Sequence, residues 1–383
     1  MNMGAVILNE DMLLSAEKMH GEVIELIKTM CAIPAPSHHE ELRAEFVRSW
    51  FAARGMEAEI DSAKNVRVPL GLDDHEDIVV IMAHTDTVFP DMEPMPLYEK
   101  EGRIYCPGVG DNTTNLAAMM VIADYVRQYM PKCGVLFVAD ACEEGLGNLK
   151  GCRAIMEAYG EKVKAFIALD GGYDEVCAQA VGSARYRITA KTCGGHSFAD
   201  FGNRNAIEVL AALTCAIYAQ DVSDLPAGKT TYNVGSISGG TSVNTIAQEA
   251  HMLYEYRSDN AACLEIMEHR LQKILKEHTP QDAQVKAELL GLRPCAKDVD
   301  LNAQHELNAL CQSAILRYTA KDAELRSGST DCNIPLSLGI PAVCFGVYEG
   351  KGAHTREEWI DTASVLPGIK IALSVILNWF HLE

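Results

Sequence analysis

Side chains of metal-binding type recur at the ends of apolar runs and in glycine-rich turns. They are His84 and Asp86 in AHTDTVFP, Asp111 in GVGDNTTN, Glu143 and Glu144 in DACEEGLG, Asp170 in FIALDGG, and His354 in GAHTREEWI. Imidazole and carboxylate donors, with no cysteine among them, suit zinc or a similar divalent ion at a catalytic site. By residue type the set reads as that of a two-metal hydrolase. Taken singly each motif is weak, since a His-x-Asp is more often a surface pair and twin glutamates are usually a solvated face.

Position adds weight to residue type. His84 follows the run IVVIMA at 78–83, and the glutamate pair and Asp170 follow the apolar runs at 135–139 and 165–169. All of them therefore belong at the carboxyl ends of strands, the edge where open α/β sheets place their ligand sites. Asp111 precedes a helical pattern and His354 sits in a glycine-rich loop beyond a strand, so both can reach the same crevice.

The elements that must hold these residues fall into two textures. Up to about Val181, helical stripes (Val23, Leu26, Ile27, Met30; then Leu116, Met119, Met120, Ala123) alternate with continuous apolar runs of strand length. This pattern predicts an α/β domain with a mostly parallel or mixed sheet, helices on both faces. From Ser183 to about Arg293 the strands alternate instead: Ala184, Tyr186, Ile188 and Ala190 face one way, Arg185, Arg187, Thr189 and Lys191 the other. Ala250, Met252, Tyr254 and Tyr256 repeat the alternation, as do Ala283, Val285, Ala287 and Leu289. With helical patterns at 206–218 and 264–275 the order is β-α-β-β-α-β, a ferredoxin-like α+β insert. The first texture returns after Cys295, with a buried strand at 341–347 and a helix ending near Trp379. The expected boundaries are 1–181 and 295–383 for the α/β domain and 182–294 for the insert.

Composition narrows the partners. A chain of 383 residues exceeds one ordinary core. With 53 acidic against 33 basic residues the formal charge is -20, which argues against nucleic acid and anionic membranes. The start, MNMGAVILNEDMLLSAEK, reads as neither signal peptide nor anchor, and no later run is expected to be long enough to span a bilayer. Thirteen cysteines without a C-x-x-C pair point to a reducing, cytoplasmic setting and to small buried hydrophobes.

In order along the chain, HTDTVF, the GDN turn, the EEG pair, LDGG, GGHSF, GGTSVNTIAQEA, the SGSTD to GIPAVCFG stretch and GAHTREEW resemble the di-zinc metallopeptidase family of carboxypeptidase G, peptidase T, aminoacylase-1 and succinyl-diaminopimelate desuccinylase. The resemblance implies a zinc-dependent exopeptidase-like domain carrying an inserted lid or dimerisation domain. It assigns His84 and Asp170 to one zinc ion, Glu144 and His354 to the other, and Asp111 to both; Co²⁺ or Mn²⁺ would also suit. Two cations about 3.5 to 4 Å apart need such an anionic bridge, and can then share one nucleophilic water. Glu143 would be the general base. Asp86 would accept the free N–H of His84 and fix its tautomer. Members of the family often carry a cis peptide after the bridging aspartate.

Within the insert the resemblance makes His196 an oxyanion-stabilising residue reaching across a dimer, and Asn244 a substrate contact. It makes Arg257 a partner for the substrate carboxylate, a task suited to a bidentate fork. Departures touch no metal ligand: Asn112, Thr113, Thr114 and Asn115 stand where many members place a lysine and glycines, and Ala199 and Asp200 where proline is usual. The implied activity is amide hydrolysis in short peptides or N-acyl amino acids by a cytoplasmic homodimer. Dipeptidase, tripeptidase, aminoacylase and carboxypeptidase activities stay open, as does an aminopeptidase that reads the substrate's amino end. A catalytically silent peptide-binding paralogue is the alternative from another class; the presence of Glu143 beside a complete ligand set argues against it.

Overall fold

A computed structural model describes residues 4–382. The chain folds into two compact units: Val181–Ala296, and a second made of the segments on either side of it.

The flanking segments build an eight-stranded sheet in the order Glu59–Ile60, Val66–Leu70, Gly134–Asp140, Ile78–His84, Val163–Leu169, Ala342–Phe345, Glu175–Ala180, Glu324–Gly328. Ile78–His84 runs parallel to both of its neighbours, and Ala342–Phe345 runs parallel to Val163–Leu169. Val66–Leu70 pairs antiparallel with Gly134–Asp140, so the sheet is mixed. Ile78–His84 and Gly134–Asp140 are buried at every residue, as strands covered on both faces must be. The helix Glu10–Cys31 packs Met12, Ala16, Met19, Val23, Ile27 and Met30 into that core, and Asn9 caps it by accepting from the Met12 N–H at 2.9 Å. The N-terminal segment expected to be neither signal nor anchor enters this helix at Glu10; its first three residues lie outside the described ones.

One expectation needs correction. Residues Thr362–Trp379 are long and apolar enough to cross a membrane by length and composition, with a mean hydropathy of 1.4. Packing accounts for that character: Ile369, Ile371, Ala372, Val375, Ile376 and Leu377 are fully buried in the same core cluster as the first helix. A helix that is apolar all round is what the centre of a large core requires.

Val181–Ala296 contains a four-stranded antiparallel sheet in the order Thr230–Gly239, Glu249–Ser258, Gly182–Lys191, Gln284–Arg293. Two helices, Ala206–Tyr218 and Ala261–His278, contribute Leu210, Leu213, Met267 and Leu271 to a core shared with Ile188, Ala190, Met252 and Tyr254. Burial alternates along Glu249–Ser258, the mark of a sheet with one covered face. The second helix extends beyond 264–275 because Asn260 caps it early, accepting from the Ala262 N–H at 3.0 Å.

Candidate active site

The parallel register brings the chemistry to one edge. His84 lies opposite Asp140, and Leu169 opposite Phe345, so the segments that follow these strands leave the sheet flush with one another. Residues 141–144 continue from one strand and Asp170 from another. Asp111 arrives in the turn before the helix Asn115–Val126, and the peptide bond that leads from it to Asn112 is cis. His354 comes from the loop between the short strands Gly350–Lys351 and Trp359–Asp361, which pair with each other.

The side chains converge on Asp111. Its Oδ1 lies 3.0 Å from His84 Nε2, and its Oδ2 lies 3.0 Å from His354 Nε2. His84 Nε2 is also 3.9 Å from Asp170 Oδ1, and His354 Nε2 is 3.2 Å from Glu144 Oε1. Two donor sets result, His84–Asp111–Asp170 and Asp111–Glu144–His354, sharing one carboxylate; a third close grouping joins His84, Glu143 and Glu144. A tetrahedron with bonds of about 2.0–2.1 Å has edges of roughly 3.3 Å. The spacings of 3.0–3.2 Å that join Asp111 to both imidazoles and Glu144 to His354 lie close to that edge, and the 3.9 Å from His84 to Asp170 is longer. The donors are all hard or borderline, so the residue types and their grouping fit a pair of divalent cations. Exposure differs sharply: the His84 side chain is 1% exposed and that of His354 58%.

The electrostatics are those of acids and imidazoles crowded together. Hydrogen bonds to Asp111 and Glu144 push His354 up to about 10. Burial lowers the pKa of His84, but hydrogen bonds to Asp111 and Asp86 outweigh it and hold the ring well above its ordinary value. Burial, together with the charge of Asp111, raises Asp170 to about 6; burial likewise raises Glu144 to about 6, against its hydrogen bond to His354. Asp111 goes the other way, since its two imidazole partners overcome the burial that would raise it.

Asp86 does more than the sequence suggested. His84 Nδ1 lies 3.0 Å from the backbone carbonyl of Asp86 and 3.5 Å from its Oδ1, so the nearer acceptor is the main chain. The Asp86 carboxylate also accepts from the backbone N–H groups of Glu143 and Glu144, each at 3.1 Å, and from the Ser37 hydroxyl at 2.6 Å. One buried acid thus orients both glutamates. The asparagines at the divergent positions also have work that spacing could not reveal. Asn112 Nδ2 donates to the Leu169 carbonyl at 2.8 Å, and Asn115 Nδ2 to the Gly171 carbonyl at 3.0 Å while its Oδ1 accepts from the Val347 N–H at 2.8 Å. Their amides staple the Asp111 turn to the segment carrying Asp170. A polar residue just after a candidate ligand was the only signal available.

The remaining candidates belong to the Val181–Ala296 unit. Gly195–His196 pairs with Thr245–Ile246, and Ser197 N–H donates to the Asn244 carbonyl at 3.0 Å, so His196 and Asn244 share a two-stranded platform. His196 Nδ1 accepts from the Phe198 and Ala199 N–H groups at 3.2 and 3.3 Å. That tautomer carries its proton on Nε2, where it can donate. Arg257 is not brought to this platform. It stands near the far end of Glu249–Ser258, roughly 25 Å along a strand rising ~3.4 Å per residue. Its fork is taken by Glu255, at 3.0 Å from Nε and 3.1 Å from Nη2.

Comparison with known proteins agrees with this architecture. The succinyl-diaminopimelate desuccinylase of Corynebacterium glutamicum is 25% identical over 355 residues, 88% of this chain and 91% of that protein. The aminopeptidase PepT of Bacillus cereus shares the fold at a TM-score of 0.72 and 20% identity, covering 93% of this chain and 98% of its own. A tripeptidase of Staphylococcus aureus does so at 0.73 and 20%, covering 93% and 97%. Residues 80–378 match the family model described as peptidase family M20/M25/M40, and with most of its length inside that match the chain belongs to this family of metal-dependent hydrolases.

Proposed function

We propose that the chain hydrolyses an amide bond in short peptides or N-acyl amino acids at a pair of zinc ions. His84 and Asp170 would hold one ion, Glu144 and His354 the other, and Asp111 both. The observation that carries this reading is the division of Asp111, whose two oxygens each face a different imidazole nitrogen. The ions, when bound, supply Lewis acidity at the scissile carbonyl and lower the pKa of the attacking water. Glu143 takes a proton from that water as its oxygen adds to the carbonyl carbon, and returns it to the nitrogen as the C–N bond breaks. Asp86 fixes the backbone from which Glu143 and Glu144 project.

The Val181–Ala296 unit acts, in this reading, as lid and dimer contact. His196, with its proton on Nε2, donates to the oxyanion, and Asn244 beside it contacts substrate. With Arg257 at the other end of the strand, a short substrate that contacts both it and Asn244 would need two copies of the chain, so the homodimer follows if Arg257 reads the substrate. Mixing an inactive Glu143→Gln chain with an inactive His196→Ala chain should then restore activity, since one site per heterodimer has both groups intact. Proven subunit exchange without recovery would sink action across the dimer.

Substrate class is tested by a panel of dipeptides, tripeptides and N-acyl amino acids, with and without a blocked end. A free C-terminal carboxylate must displace Glu255 to reach the Arg257 fork. If it does, Arg257→Ala loses about 10- to 10³-fold in kcat/KM on free-acid substrates and nothing further on their amides, because both changes remove one contact. Equal discrimination between acid and amide in the two proteins would favour the second reading, recognition of the amino end, with Arg257 left paired to Glu255.

A further inference from the structure

Glu358 is a buried acid with no part in the reaction described above. It directly precedes the strand Trp359–Asp361, four residues beyond His354, and is 2% exposed. Both of its carboxylate oxygens are spent on the backbone of a single distant loop. Oε2 accepts from the Gly108 N–H at 2.6 Å, and Oε1 from the N–H groups of Gly110 at 2.9 Å and Asp111 at 2.8 Å. Its main-chain carbonyl accepts from Cys106 at 3.1 Å, and the strand that follows pairs Trp359 with Tyr105.

We infer that Glu358 is a positioning residue for Asp111: it locks the loop that presents this carboxylate to the loop that carries His354, so that the shared donor stays divided between its two imidazoles. The inference rests on the reading of Asp111 as a ligand common to two cations. N–H groups of one turn that face the same side make a concavity for an anion. Here, with the Val109 N–H turned away to the Cys106 carbonyl at 3.1 Å, those of Gly108, Gly110 and Asp111 close on an anion that is part of the chain. Gly108, at a φ of 76°, supplies the left-handed turn that aims them. Across the loop Tyr348 leaves no slack, since a Cβ on Gly110 would sit 2.4 Å from its hydroxyl. With one side walled and the other tied by charge-assisted hydrogen bonds, the Asp111 peptide has one place to be. Metal bonds tolerate only about ±0.2 Å, so the loss of that tie is felt at the ions before it is felt in the fold.

Glu358→Gln keeps the shape but turns an amide N–H₂ toward a backbone N–H, donor against donor. Glu358→Asp keeps the charge but retreats by a methylene. Both variants should bind Zn²⁺ about 10- to 100-fold more weakly than the parent in chelator competition, the scale known for outer partners of metal ligands. With Co²⁺ as probe their visible absorption should change in position or intensity, which a role confined to folding would leave alone. Folded Glu358→Gln with parental Zn²⁺ affinity and an unchanged Co²⁺ spectrum would overturn the inference. Should neither variant fold, amide exchange in the metal-free parent decides: slow exchange at Gly110 and Asp111 supports the tie, and exchange at open-loop rates refutes it. A parent that binds no divalent ion would instead remove the two-metal reading, an outcome distinct from parental uptake with an indifferent variant.

Discussion

Glu143→Gln should lower kcat by roughly 10² to 10⁴ while the protein keeps both of its metal ions. Glu144→Gln should release or weaken one ion. The two residues are adjacent and both nearly buried, and Asp86 holds the backbone N–H of each at the same distance, so nothing in the chain separates them except where their carboxylates lead. Glu144 Oε1 lies 3.2 Å from His354 Nε2, inside one donor set, while Glu143 groups with His84 and Glu144. Removing the charge of Glu143 leaves both sets of Asp111 intact but, with Glu143 as the proposed base, takes away the proton acceptor. Parallel measurement of bound metal and kcat on both variants tests the assignment. Exchanged behaviour would reverse the roles.

Loading the metal-free protein should take up about two divalent ions per chain, and Asp111→Asn should abolish tight uptake at both positions and activity with it. The neutral amide can no longer offset the repulsion of two cations or offer an anionic oxygen to each. Uptake should also release protons. His354 is pushed up to about 10, so at pH 7 to 9 its ring carries a proton that a cation at Nε2 must displace. Asp170 and Glu144, both near 6, add to the release as the pH falls toward that value. Every ligand binds metal in its deprotonated form, so apparent affinity rises with pH. Calorimetry in buffers of different ionisation enthalpy reads the proton count directly. Proton-free uptake at pH 7.5, or a single retained ion at full affinity in Asp111→Asn, would contradict the shared-ligand arrangement.

What the sequence determined by itself follows from local periodicity. The run at 78–83 is apolar at every position because helices cover both faces of its sheet, and the alternation at 250–256 reports a sheet with one covered face. Strand ends are visible in the same patterns, which is why His84, Glu144 and Asp170 could be placed at one edge before any coordinates. The helix at Val365–Ile376 shows the limit of composition: a membrane span and a core helix look alike until the neighbours that bury it are known.

Tertiary structure decided everything that depends on contacts between distant segments. The tie from Glu358 to the Asp111 loop spans about 250 residues, and the contact between Asp86 and the N–H of Glu143 spans 57. Both join a side chain to main-chain atoms, and a backbone N–H is the same chemical group in every residue but proline, so it leaves no mark in the sequence. The same holds for Arg257, whose residue type suits a substrate carboxylate but whose fork is met by Glu255, two positions away on the same strand. Residue type states what a side chain can bind; only the packed chain states what stands within 3 Å of it.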